Sequence, residues 1–151
     1  VHVDDDWTNA YRTSLPIVLK GILPPDDAHE ARERGADGVV VSNHGGRQVD
    51  GAIASLAALP PIVEAVGGDI AVLLDSGIRS GADAFKALAL GADAVLVGRP
   101  YLWGLALDGQ SGVETVLRSL LAELDLTMAL SGYTSLDQVD AGALRPGGAA
   151  E

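Results

Sequence analysis

A chain of 151 residues, 48% of them hydrophobic, suits one globular domain with its own core. A formal net charge of −11 excludes the basic footprint needed to bind nucleic acid or anionic membranes, and no apolar run approaches the ~20 residues of a bilayer span. The absence of cysteine excludes disulfides and thiolate metal sites, no metal site is expected, and a reducing cytoplasmic setting fits this usage.

In chain order, residues 1–14 read as an acidic start and the last turns of a preceding helical unit, with the helix over 7–13. The first residue is Val, and no basic, then apolar, leader opens the chain, so a trimmed or processed product is expected. Residues 15–140 then hold four similar units. The first is a strand at 16–21 (PIVLKG) with a helix at 25–34, and the second a strand at 38–42 with a helix at 55–66. The third is a strand at 70–75 (IAVLLD) with a helix at 81–90. The fourth is a strand at 94–98 (AVLVG), a short helix at 101–107 and a longer one at 113–130. Residues 141–151, rich in Gly and Ala, read as a flexible tail. Short apolar strands alternating with helices predict parallel pairing through helical crossovers. The phrase ERGADGVVV at 33–41 returns as ALGADAVLV at 89–97. In each, a glycine stops a helix and a small acidic loop opens the next strand. Four such units make half of a (β/α)8 barrel, and a small open doubly wound sheet is the alternative.

The chemistry collects at strand ends. The run VVVSNHGGRQVD ends a buried strand and then packs His44, two glycines and Arg47 into one loop. His44 can move a proton near neutral pH, and Arg47 can clamp a carboxylate with two parallel hydrogen bonds. Taken alone, this segment reads equally well as a plain turn with a solvent-facing His and Arg. Lys20, His44, Asp75 and Arg99, however, all fall at or just past successive strand ends, roughly one βα unit apart. That is the face on which barrel enzymes carry their chemistry. DSGIRSG at 75–81 opens a helix, and its glycines expose backbone N–H groups to an anion. Ser80 and Asp83 at that helix start also read as a capping box, a purely structural role. Gly98, Arg99 and Pro100 repeat the arrangement one unit later, so Arg79 and Arg99 can share an anion. His29 lies in a polar helix and reads as a surface residue.

Lys20-Gly, SNHGGRQ at 42–48, DSGIR at 75–79 and Gly98-Arg-Pro, in this order and spacing, resemble FMN-dependent L-2-hydroxy acid oxidases and dehydrogenases of the glycolate oxidase and lactate oxidase type. PIVLKGIL, PPIVEAVGG and FKALALGADAVLVGRPYLWGLA resemble the lactate 2-monooxygenase branch most. The resemblance implies the carboxyl-terminal half of a TIM (β/α)8 barrel, FMN as cofactor, a small L-2-hydroxy acid such as L-lactate as substrate and oxygen as acceptor. It implies that Lys20 and Ser42 contact the flavin, that His44 is the general base and that Arg47 binds the substrate carboxylate. Asp75, Gly77, Arg79, Gly98 and Arg99 would hold the ribityl phosphate. Relatives carry a first half-barrel that supplies two tyrosines, an Asp orienting the base and a second carboxylate-binding Arg. The chain is therefore expected to pair with such a half or with itself. The competing expectations are a non-catalytic half-barrel that binds FMN or phosphate, and another phosphate-binding barrel.

Overall fold

The structure, a computed structural model, describes residues 13–145. Four parallel strands lie in sequence order: β1 (Val18–Ile22), β2 (Gly38–Val41), β3 (Ala71–Leu74) and β4 (Ala94–Val95). The crossovers are α1 (Pro25–Glu33), α2 (Ser55–Val66) and α3 (Gly81–Ala89), and α4 (Arg99–Ser131) follows β4. Each strand neighbours the next in sequence, which is the connectivity of a (β/α)8 barrel and not of a doubly wound sheet with a switch point. The chain is thus a partial barrel of four βα units.

One face of the sheet builds the core. Val39 and Val41 of β2 and Val72 and Leu74 of β3 are buried against Ala28 and Ala31 of α1, Leu59, Ile62 and Val66 of α2, and Ala87 of α3. The buried positions of α2 recur at three- and four-residue intervals, so one stripe faces the sheet. Pro60 and Pro61 sit inside α2 and leave the Leu56 and Ala57 carbonyls without helical donors, but both residues are exposed and water can serve them. On the opposite face, Val18, Lys20, Ala71 and Ala94 are exposed.

The repeated GAD phrase has a repeated job. After α1, Gly35 takes φ +80°, and the Ala36 amide bonds back to Ala31. After α3, Gly91 takes φ +98°, and Ala92 bonds back to Ala87. The acidic residue that follows each glycine then holds the preceding strand. Asp37 Oδ2 accepts from the Ile17 amide at 2.7 Å, and Asp93 Oδ2 accepts from Val72 at 2.7 Å.

Most elements fall where expected, with β2, β3 and β4 shortened and β1 shifted to start later and end one residue further on. β4 stops at Val95 instead of running to residue 98, because beyond it only the Leu96 amide bonds across, to Leu74. β1 carries a bulge: Lys20 pairs with Val40, but Ile22 pairs with Val41. Gly21, at φ +100°, absorbs the extra residue. Without it, Lys20 and Ile22 would share a face. With it, Ile22 joins the core while Lys20 stays on the open side. The two helices expected after β4 are both present within α4, separated at Asp108 and Gly109, whose backbones leave helical geometry. The halves fold back so closely that Gly104 and Gly112 touch backbone to backbone. The expected tail at 141–151 begins differently: Ala141–Ala143 form a 3-10 turn capped by Asp140, whose Oδ1 accepts from the Gly142 amide at 2.8 Å. The helix read at 7–13 lies outside the described residues except for Thr13, which is not helical.

A Cβ at Gly112 would lie 1.9 Å from the Gly104 carbonyl oxygen. Gly112→Ala must therefore prise the two halves of α4 apart, at a cost of about 1–3 kcal/mol. Urea unfolding of the variant should show a lower midpoint at unchanged slope. An unchanged midpoint would disprove the contact.

Candidate functional site

The strand ends and the loops after them line a cleft of about 650 Å³, within the range of small-molecule sites. Lys20, His44, Arg47, Asp75, Gly77, Arg79, Gly98 and Arg99 all line it, so the parallel sheet converges residues that are distant in sequence. Ser42 is buried just beneath, at the end of β2. The 3-10 turn His44–Gly46 follows directly, with Asn43 Oδ1 accepting from the Gly46 amide.

Lys20 is the hub of the floor. Its Nζ donates to Ser42 Oγ at 2.9 Å and pairs with Asp75 Oδ2. It thereby ties the end of β1 to that of β3 across β2. Ser42 Oγ also accepts from the His44 amide at 3.1 Å, and Ser76 Oγ donates to Asp75 Oδ1 at 2.7 Å and accepts from the Gly45 amide at 2.9 Å. Partial burial works to raise the Asp75 pKa, but hydrogen bonds from Lys20, Ser42 and Ser76, together with the Lys20 charge, outweigh it. The carboxyl is held below the ordinary aspartate value.

The cations at the rim are unneutralised. Among the described residues, Arg47, Arg79 and Arg99 form no salt bridge, although the chain is strongly acidic overall. The His44 side chain is exposed, and its ring makes no hydrogen bond to the described residues. His29 is exposed, as read from its helix.

The two helix starts beside the cleft differ. That of α3 was expected to offer its amides to an anion, and the protein already uses four of those around it. Asp83 Oδ2 accepts from the Arg79 and Ser80 amides, Ser80 Oγ accepts from Asp83, and Glu123 Oε2 of α4 accepts from the Gly81 amide at 2.8 Å. The capping box read from Ser80 and Asp83 is present and takes up part of this helix start. α4 begins at Arg99 with no side-chain cap, Gly98 is open to the cleft, and Gly77, at φ +92°, has no heavy atom near where a Cβ would stand. The Arg99 guanidinium reaches across to donate to the Gly45 carbonyl. Glu123 and Ser76 were not singled out from sequence. Glu123 lies 42 positions from the amide it caps, and no local pattern marks such a pair.

A strand-end cleft with an exposed imidazole and several unneutralised guanidinium groups thus stands on a partial barrel. The chain belongs to the FMN-dependent dehydrogenase family, whose model matches residues 6–146. It is 60% identical over 126 residues to an L-lactate oxidase of Lysinibacillus sphaericus, covering 83% of this chain and 33% of that protein. It is 57% identical over 137 residues to 2-Hydroxyacid oxidase 1 of Mus musculus, covering 90% and 37%. A crystal structure of mandelate oxidase with 3,3-difluoro-2-hydroxy-3-phenylpropionic acid superposes with a TM-score of 0.86 at 51% identity, covering 89% of this chain and 41% of that one. The chain thus spans about a third of the length of these curated relatives. The cofactor of the family is FMN, and the site suits a flat phosphate ester: free guanidinium and uncapped helix amides at one end, Lys20 and Ser42 at the floor. Among the described residues no helix is long and apolar enough to cross a membrane.

Because the Asp75 pKa is lowered in the folded state, the stability it contributes is present above the unfolded value of about 3.9 and is lost as pH falls through the folded value. Asp75→Asn should remove this acid-side loss. The gap in urea midpoint between the two proteins should be largest near pH 6 and shrink toward about pH 2, whereas a gap independent of pH would show that the pair does not titrate as described.

Proposed function

We propose that this chain supplies the base, the carboxylate clamp and the cofactor-anion site for FMN-dependent oxidation of a small L-2-hydroxy acid, with L-lactate as the substrate and oxygen as the acceptor. The observation that carries this reading is the set of unneutralised groups on one cleft: His44 and Arg47 on the β2 loop, Arg79 after β3 and Arg99 at the start of α4. Arg47 holds the substrate carboxylate with its planar fork. His44 takes a proton from the adjacent carbon or its hydroxyl. Bound FMN supplies the two-electron acceptor that no side chain here provides. Lys20, with a fixed positive charge at the floor, favours negative charge that develops beside it, and Ser42 adds a hydrogen bond. Gly77, Arg79, Gly98 and Arg99 hold the phosphate, and Asp75 fixes the position of Lys20 at the floor through their ion pair. These residues serve a lactate 2-monooxygenase as well as an oxidase.

Residues 15–140 form the half-barrel in this reading, and the exposed sheet face (Val18, Lys20, Ala71, Ala94) takes a complementary first half or a second copy. Light scattering should find the isolated chain as a dimer or larger, with little lactate-dependent oxygen uptake until an amino-terminal half is added. A monomer that turns lactate over at an ordinary enzymatic rate would end the half-barrel reading. A chain that binds FMN but stays inactive with its partner half present would establish the alternative, a non-catalytic binding module.

In the assembled enzyme, His44→Ala should slow anaerobic bleaching of the flavin by lactate by about 10²–10⁴-fold while FMN stays bound. Near-normal bleaching would refute the base assignment. Arg47→Lys should weaken lactate binding far more than FMN binding, and Arg79→Ala the reverse. Two variants with the same pair of affinities would show that substrate and phosphate sites are wrongly divided.

A further inference from the structure

Ser76 and His44 are the two non-glycine residues with a left-handed backbone among those described, at φ +75° and +56°. Both stand on the cleft, in different loops. A left-handed serine is strained where glycine would be at ease, so the residue is there at a conformational cost that its side chain must offset. The side chain has one donor and two acceptor positions, and both kinds are in use. Ser76 Oγ donates to Asp75 Oδ1 and accepts from the Gly45 amide. The next peptide unit is held as well, where Arg99 donates to the Gly45 carbonyl. The His44 amide in turn donates to Ser42 Oγ, which Lys20 also contacts. The backbone on both sides of the His44 side chain is therefore held by Ser42 at the end of its own strand, by Ser76 after β3 and by Arg99 after β4, with Lys20 of β1 behind Ser42.

We propose that Ser76 is a positioning residue for His44: its hydroxyl carries the orientation of the Lys20–Asp75 pair to the Gly45 amide and so sets where the imidazole stands. The inference rests on His44 being the base, as proposed above. It assigns to Ser76 no contact with substrate. It predicts that loss of the hydroxyl separates activity from stability, because a 1 Å misplacement of a catalytic group can cost about 10²-fold in rate.

Two variants test it. Ser76→Gly removes the hydroxyl and relieves the strain, and Ser76→Ala removes the hydroxyl and keeps the strain. In the assembled enzyme, both should lose about tenfold or more in kcat, with KM for lactate and Kd for FMN within about twofold of wild type. Ser76→Gly should melt no lower than wild type. In the chain without FMN, the Gly45 amide should exchange with deuterium about tenfold faster in both variants, while Val41 in the core of β2 stays protected. Wild-type kcat in Ser76→Gly, or unchanged Gly45 exchange, would overturn the proposal. So would a loss of activity confined to Ser76→Ala, because then only folding strain is at work. His44→Ala separates the two levels: if it retains turnover, the base assignment fails; if it is inactive while both Ser76 variants are normal, only the positioning role fails.

Discussion

The site is organised around an ion pair that skips a strand. Lys20 at the end of β1 and Asp75 at the end of β3 join over β2, with Ser42 beneath them. The pair contributes little to stability as such, because the lysine side chain is nearly half exposed and such pairs are worth about 0–1 kcal/mol. Its effect is geometric. It points one cation and one carboxylate along fixed directions on the cleft floor, and the hydrogen bonds of Ser42 and Ser76 are referred to that direction. The Gly21 bulge makes the pair possible, since it leaves Lys20 on the cleft side while Ile22 enters the core. One glycine in β1 therefore joins core packing to the chemistry of the strand ends.

Much of the fold was legible because parallel barrels are written in local signals. The GAD phrase could be read twice because Gly35 and Gly91 end helices in the same conformation, and Asp37 and Asp93 each hold the amide of the strand before them. The start and end of α2 follow from apolar positions at three- and four-residue spacing. Lys20, His44, Asp75 and Arg99 could be placed at strand ends from the ends of apolar runs, and the structure brings them to one cleft. What stayed hidden was every link between loops. Ser76 to Gly45, Arg99 to Gly45 and Glu123 to Gly81 join residues 31, 54 and 42 positions apart, and no periodicity marks a side chain that bonds a distant peptide group. The start of α3 shows the consequence. DSGIRSG reads locally as an anion-binding helix start, but a carboxylate from α4 and the capping box satisfy several of the amides there.

Charge distribution sorts the surface in the same way. The chain carries −11 overall, and its other described acid–base pairs include Glu30 with Arg34 and Glu114 with Arg118, one helical turn apart, and Arg32 with Glu33 and Asp69. The guanidinium groups at the cleft have no such partner. In an acidic chain, carboxylates are plentiful, so leaving several arginines unneutralised at one place is a local exception. An anionic ligand entering there meets positive charge only near the cleft, where the negative field of the remaining surface is offset. The net charge therefore disfavours broad binding to polyanions without opposing a small anion at this one site.

The strained residues lie where that charge is concentrated. Left-handed backbone costs roughly 1–2 kcal/mol for a residue with a side chain, and here it falls on His44 and Ser76. A loop in this conformation would relax if it were free. Here the Ser42 and Ser76 hydroxyls accept from successive amides, His44 and Gly45, while Arg99 and Asn43 hold the next groups along the chain. Each bond is modest, about 1 kcal/mol net, but four on one turn together offset strain of this size. The loop can thus be rigid although its tip is exposed. The rigid sheet ends supply the fixed points, and the exposed tip leaves the imidazole of His44 free to meet a ligand.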